Sequence, residues 1–162
     1  MTYQPFSHLD ETGAARMVDV TEKAVSVRSA TATGRVLVST EVVAALRGSG
    51  VPKGDALAVA RIAGIQAAKK TPDLVPLCHP IAIHAVVLDL AVHDDHVAIS
   101  ATVRTADRTG VEMEALTCVS VAALALIDMV KALDPAAVIT DVKVTEKLGG
   151  KTGEWHRDGD PR

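Results

Sequence analysis

Aromatic residues are nearly missing from this chain, which has one Tyr, one Phe and one Trp among 162 residues. All three, Tyr3, Phe6 and Trp155, stand near the ends. The core must therefore be built from Val, Leu, Ile, Met and abundant Ala, small side chains that let helices and sheets approach closely and also suit packing against another subunit. Cysteine is scarce too. Cys78 and Cys118 form neither a CxxC pair nor a disulfide framework, which fits a reducing compartment. No run reaches the roughly 18–20 uninterrupted apolar residues of a membrane helix. The first residues carry Asp10 and Glu11 where a signal peptide would need an apolar segment. A cytoplasmic chain with no membrane partner is expected. Charge of one sign is also lacking: the net charge is −3, whereas a dedicated nucleic-acid binder is usually basic. What the chain does have is a 48% hydrophobic share, too high for a disordered polypeptide. Its length suits a single domain burying roughly two thirds of its unfolded surface.

The organisation follows from local signals. Residues 1–15 are polar and read as a disordered arm, residues 16–153 as one domain, and residues 154–162 as a loose tail. Val25 to Val38 is rich in β-branched residues and reads as a strand, with Gly34 at a bulge. Ser39 caps a short helix that Gly48 stops, and Asp55 caps a second helix ending at Lys69 and Lys70. Thr71-Pro72 breaks that helix. Pro76 and Pro80 bracket a stiff loop, Asp73 to Pro80. Ile81 to Val92 and Val97 to Val103 read as strands, Val111 to Ala132 as a long helix, and Val138 to Thr145 as a last strand. The order is a split βαβ pattern with one additional helix, which predicts an α+β, ferredoxin-like antiparallel sheet with helices on one face.

The long helix is apolar nearly all round, so burial on several sides is expected. Asp128 and Lys131 interrupt it, three residues apart on one face. Spacing alone fits an intrahelical ion pair equally well. A carboxylate near the negative end of a helix is costly, however, and this favours a functional role for Asp128. Glu112 and Glu114 lie in the first turn, where the helix dipole favours carboxylates without any further role. Glu114 and Asp128 are about 40° apart around the helix and about 21 Å apart along it, so they cannot form one carboxyl pair within one chain. His79, between Cys78 and Pro80, sits in a stiff loop of the kind that carries function. Cys78 and His79 lack a second pair at metal-ligand spacing, so no metal is expected. Lys53, Lys147 and Lys151 stand beside glycines at loop ends, suited to holding phosphates. KLGGKTG lacks the first glycine and the following helix of a P-loop, which excludes a P-loop NTPase.

The segments KGDALAVARIAGIQAAKKTPDLVPLCHPI (Lys53 to Ile81), TGVEMEALTCVSVAALALIDMVKA (Thr109 to Ala132) and KLGGKTG (Lys147 to Gly153) closely resemble the molybdenum cofactor biosynthesis protein C family. Arg16-Met17-Val18-Asp19-Val20 stands where that family has a similar start. The resemblance covers about Met17 to Gly153. It implies a ferredoxin-like fold assembled as a homohexamer, a trimer of dimers, with sites at subunit interfaces. It implies conversion of a small-molecule substrate, (8S)-3′,8-cyclo-7,8-dihydroguanosine 5′-triphosphate, into cyclic pyranopterin monophosphate with loss of diphosphate, and no cofactor. Carried over by position, it makes Asp128 the catalytic acid/base and Lys131 its partner. Leu77, Cys78, His79, Met113 and Glu114 match the substrate-binding motifs, and Lys53, Glu112, Lys147 and Lys151 match other polar positions of that pocket. The other reading is a non-catalytic regulator, a ferredoxin-like domain binding a nucleotide between subunits. Asp128 argues against it, because binding an anion gains nothing from a carboxylate.

Overall fold

In a computed structural model, residues 7–48 and 50–159 are described; most of the arm expected over residues 1–15 falls within this range, but residues 1–6 lie outside it. β1 (Ser26–Leu37) is the central strand. It pairs antiparallel with β3 (His96–Asp107) on one side and with β4 (Val138–Leu148) on the other. β2 (Ala85–Val92) flanks β3, and β5 (Trp155–His156) adds two residues beyond β4, so the order is β2-β3-β1-β4-β5. Four of these strands, with the two long helices, form the expected α+β ferredoxin-like fold. Alternation does the work in the central strands. Ala30, Ala32 and Val36 of β1, and Val97, Ile99, Ala101 and Val103 of β3, all point into one core.

Between β1 and β2 lie α1 (Thr40–Arg47), α2 (Ala56–Ala68) and a single turn, α3 (Thr71–Leu74). The caps are those the sequence offers. Ser39 Oγ accepts from Val42 N at 3.3 Å, and Asp55 Oδ1 from Ala58 N at 3.0 Å. Pro72 ends α2 as expected but also starts α3, because a proline lacks only an N–H that the first turn leaves unpaired. α4 (Glu112–Val130) lies over β1, β3 and β4, with α2 beside it over β2.

The small side chains set the spacing of these layers. At Gly64, a Cβ would lie 2.8 Å from the Cys118 carbonyl oxygen, so α2 and α4 cross closer than any larger residue permits. At Gly34, a Cβ would lie 2.8 Å from Val119 Cγ1. The ladder shifts opposite this glycine, with the extra residue on β4, where Asp141 has a φ of 57°. Three strand boundaries differ from the sequence reading: β3 continues four residues past Val103 to Asp107, and the others lie at the start of β2 and the end of β4. Residues 81–84 run outside the strand, and the Thr105 hydroxyl there donates to the Ala82 carbonyl at 2.5 Å. At the other end β4 runs three residues further than the β-branched run, and β5 and the bond from Arg157 N to Thr145 O tie the following segment to it.

α4 has 19 residues and enough apolar character to cross a bilayer by length and composition. Its apolarity is that of a core helix, since Ala115, Cys118, Val119, Ala122, Leu126 and Val130 are buried against the sheet and α2.

Candidate active site

The two ends of α4 carry two separate polar clusters. At its N-terminus, Glu112 folds back over Gly110, where any side chain would collide with it. Its carboxylate pairs with Lys147 Nζ at 2.6 Å, and Lys147 is the penultimate residue of β4. Glu114 points the other way, into the protein, and is 3% exposed. Burial pushes its carboxyl up to about 7, and the charge of Glu112 adds to the rise. The loop 75–80 brings Cys78 to this end of α4. Its thiol is pushed up by burial first and then by the charge of Glu114, so Cys78 packs there as a thiol and not as a nucleophile. Leu77 and His79 are half-buried on either side, and Met113 is partly exposed. His79 Nε2 donates to the Val18 carbonyl at 2.5 Å.

The KLGGKTG segment closes this end. Gly149 and Gly150 both have positive φ, at 85° and 77°. A side chain at Gly149 would strike the Val27 carbonyl, and one at Gly150 the Arg28 guanidinium. The turn thus lies on the first residues of β1, where Arg28 Nε donates to the Asp107 carbonyl at 3.1 Å. Arg28 is a cation that periodicity could not single out, because it is one polar residue in an alternating strand. Lys151 stands exposed in the same turn.

At the other end, Asp128 is held between two ammonium groups. Lys131 Nζ lies 2.8 Å from Oδ1 and Lys53 Nζ 3.2 Å from Oδ2, and Lys53 also donates to the Asp128 carbonyl at 2.8 Å. The hydrogen bond from Lys131 and then that from Lys53 keep the Asp128 carboxyl below the ordinary carboxylate range. A helix apolar nearly all round, with Leu124, Ile127 and Val130 around this pair, is expected to bury it, and here the fold differs. Asp128 is 58% exposed and Leu124 60%, while Val130 is fully buried. The helical repeat explains this: Val119, Ala122, Leu126 and Val130 face the core, which turns Leu124, Asp128 and Lys131 to the outside.

The structure therefore gathers Cys78, Glu112, Glu114 and Lys147 at one end of α4, and Lys53, Asp128 and Lys131 at the other. Within one chain it does not bring the two groups together. A concavity of about 780 Å³ lies elsewhere, on the sheet face opposite the helices. Arg35, Asp141, Lys143 and His156 line it, and it contains none of the expected site residues. Asp141 there, with Arg35 at 3.1 Å and Lys143 at 3.4 Å, is paired much as Asp128 is. Chemistry nonetheless favours the ends of α4, where Glu114 is the one carboxyl among the described residues raised to about 7. Among the described residues, no group of three or more His, Cys, Asp or Glu is placed to hold a metal.

Comparison with known proteins bears on the same residues. A protein of Streptomyces avermitilis named cyclic pyranopterin monophosphate synthase is 70% identical over 151 residues, covering 93% of this chain and 89% of the relative. Proteins of the same name from Nocardioides sp. and Parvibaculum lavamentivorans are 67% and 52% identical, covering 94% and 98% of their own lengths. The family model for the MoaC family matches residues 17–150, a span that holds both clusters on α4 apart from Lys151. With the fold, the residue pattern and these relatives in agreement, the chain belongs to the MoaC family.

Proposed function

We propose that the chain works as an interface enzyme, in which the Glu114 end of α4 from one subunit and the Asp128 end from another line one active site. The activity is that of a cyclic pyranopterin monophosphate synthase, a lyase of molybdenum cofactor (molybdopterin) biosynthesis. In this reaction (8S)-3′,8-cyclo-7,8-dihydroguanosine 5′-triphosphate becomes cyclic pyranopterin monophosphate, and diphosphate leaves. The observation that carries the shared site is the face of α4 between its two clusters. Leu124 along α4, Met113 at its Glu114 end, and Val59 and Ile62 on the adjoining α2 remain exposed. An apolar surface next to a charged cluster is what a second subunit would cover, and covering it would dry the cluster. A homohexamer built as a trimer of dimers, acting in the cytoplasm, completes the reading.

Each group has a task in this scheme. The triphosphate is strongly anionic, so Lys53, Lys131, Lys147 and Lys151 supply positive charge that the slightly acidic chain lacks elsewhere. Rearranging the purine into a pterin needs proton transfers, and Glu114, whose carboxyl lies near neutrality, can hold or release a proton there. Asp128 remains a carboxylate between its lysines and can accept one. Forming the cyclic phosphate needs charge neutralised on the departing diphosphate, which is work for the ammonium groups. Leu77, Cys78, His79 and Met113 shape the wall on which the base rests.

Mixed oligomers test the shared site. Asp128→Ala and Glu114→Ala chains should each be inactive alone. Randomly co-assembled, they should recover roughly a quarter of full activity, because half the dimers are mixed and each has one intact site. No recovery in verified mixed oligomers would place both residues in one chain's site, or one of them outside it.

Lys147 is tested through phosphate. Its substitution by Ala removes a cation and leaves Glu112 without its partner, so triphosphate binding should weaken by about tenfold or more. The preference for a triphosphate over its dephosphorylated analogue should shrink with it, and the residual affinity should depend less on salt. An unchanged preference in Lys147→Ala, measured by calorimetry, would exclude Lys147 as a phosphate ligand.

A further inference from the structure

We propose that the segment 17–23 is a strap that positions His79: the Val18 carbonyl holds the Nε2 proton, and the turn at Asp19 holds that carbonyl in place. This rests on the reading above that His79 lines the substrate site.

A carbonyl oxygen can only accept, so the 2.5 Å contact with Val18 requires Nε2 of His79 to carry its hydrogen. In the neutral ring this leaves Nδ1 as an acceptor. No other hydrogen-bond partner of the ring occurs among the described residues. The free lone pair therefore suits a donor on the substrate, either a ring N–H or a hydroxyl.

The strap is built to keep its carbonyl still. The Asp19 carboxylate accepts from Thr21 N at 2.9 Å and closes an Asx turn. Asp19 N belongs to the same planar peptide group as the Val18 carbonyl, so a single backbone rotation, about the Asp19 N–Cα bond, separates this turn from the carbonyl it steadies. The Thr21 hydroxyl first, and then the Thr21 N–H, hold the Asp19 carboxyl below its ordinary range. The turn is thus ionised. Further on, Lys23 N donates to the Val20 carbonyl at 3.0 Å, and Arg108 Nε donates to the Lys23 carbonyl at 2.9 Å. Arg108 lies four residues before Glu112, so the strap is tied to the segment that starts α4. The strap, the loop of His79 and the glutamate end of α4 are held as one unit.

Asp19 is exposed, so its substitution leaves the core intact, and two variants separate geometry from charge. Asp19→Asn keeps an oxygen that closes the turn but loses the charge, whereas Asp19→Ala loses both. Nitrogen-15 NMR of the full-length protein reads the ring tautomer directly. His79 should be the Nε2–H tautomer in the unmodified protein and in Asp19→Asn, and a mixture of tautomers in Asp19→Ala. KM should rise about tenfold in Asp19→Ala, near the 1.4 kcal/mol of one hydrogen bond, with kcat little changed. Asp19→Asn should restore KM. The Nδ1–H tautomer in the unmodified protein, an Asp19→Ala ring identical to it, or a shifted ring with unchanged KM would each overturn the proposal. His79→Ala binding substrate with full affinity would instead overturn the reading that His79 lines the site.

Discussion

Asp128→Asn and Lys131→Met proteins should fold, assemble and bind substrate, yet turn over at least on the order of 10²-fold more slowly. The fold explains why stability and activity should part here. Asp128, Lys131 and Lys53 form a cluster on the outer face of α4, where water screens the pairs and their loss disturbs no packing. A structural ion pair would instead give melting temperatures that fall in step with activity. The charge state also matters. Two ammonium groups stabilise the Asp128 carboxylate, so in the free chain it is a base without an acidic form near neutrality. Covering by a second subunit removes the screening water and sharpens each charge–charge contact, which is how such an exposed triad becomes effective. Thermal melts and single-turnover assays on both variants decide the matter. Nearly full turnover in a folded Asp128→Asn protein would remove Asp128 from the reaction.

Glu114→Gln should change both the pH dependence of stability and the rate. Folding raises the Glu114 carboxyl from 4.5 to about 7. The folded chain therefore keeps a proton that the unfolded chain has released, and stability falls as pH rises through that window. The penalty is complete above about pH 7 and amounts to about 3 kcal/mol. Glutamine carries no such penalty. Urea unfolding at fixed protein concentration should show the variant gaining on the parent as pH rises from 5 to 8, with the two converging at low pH. Turnover should fall by on the order of 10²-fold, and the limb near pH 7 in the parent's kcat/KM profile should be lost. A parallel pH dependence of stability in the two proteins would mean that Glu114 is not buried as a carboxyl. An unchanged rate would leave it a structural acid only.

These two carboxylates also mark what local pattern could and could not tell. The caps at Ser39 and Asp55, the alternation of β1 and β3 and the ferredoxin-like order were legible in the sequence, because each depends on neighbours within a few residues. So were the residues of the family motifs, since they stand in long specific segments. The roles of Glu114 and Asp128 were read in the wrong environments. In the first turn Glu114 looks like an ordinary dipole partner, yet it is buried. Asp128 looks buried within an apolar run, yet it faces outward.

The sequence by itself determined the small-residue core, the order of strands and helices, and the set of chemically able residues. Only the tertiary structure decided which of them meet. A helix apolar nearly all round has no pattern that says how it is rotated on its sheet. That rotation is set by Gly34 and Gly64, which let Val119 approach β1 and let α2 close on Cys118 and Ala122. Once it is set, Glu114 turns inward and Leu124, Asp128 and Lys131 turn outward. Contacts between distant segments were likewise beyond local pattern. Lys53 reaches Asp128, Lys147 reaches Glu112 and Val18 reaches His79 only because the sheet and its connections bring them there.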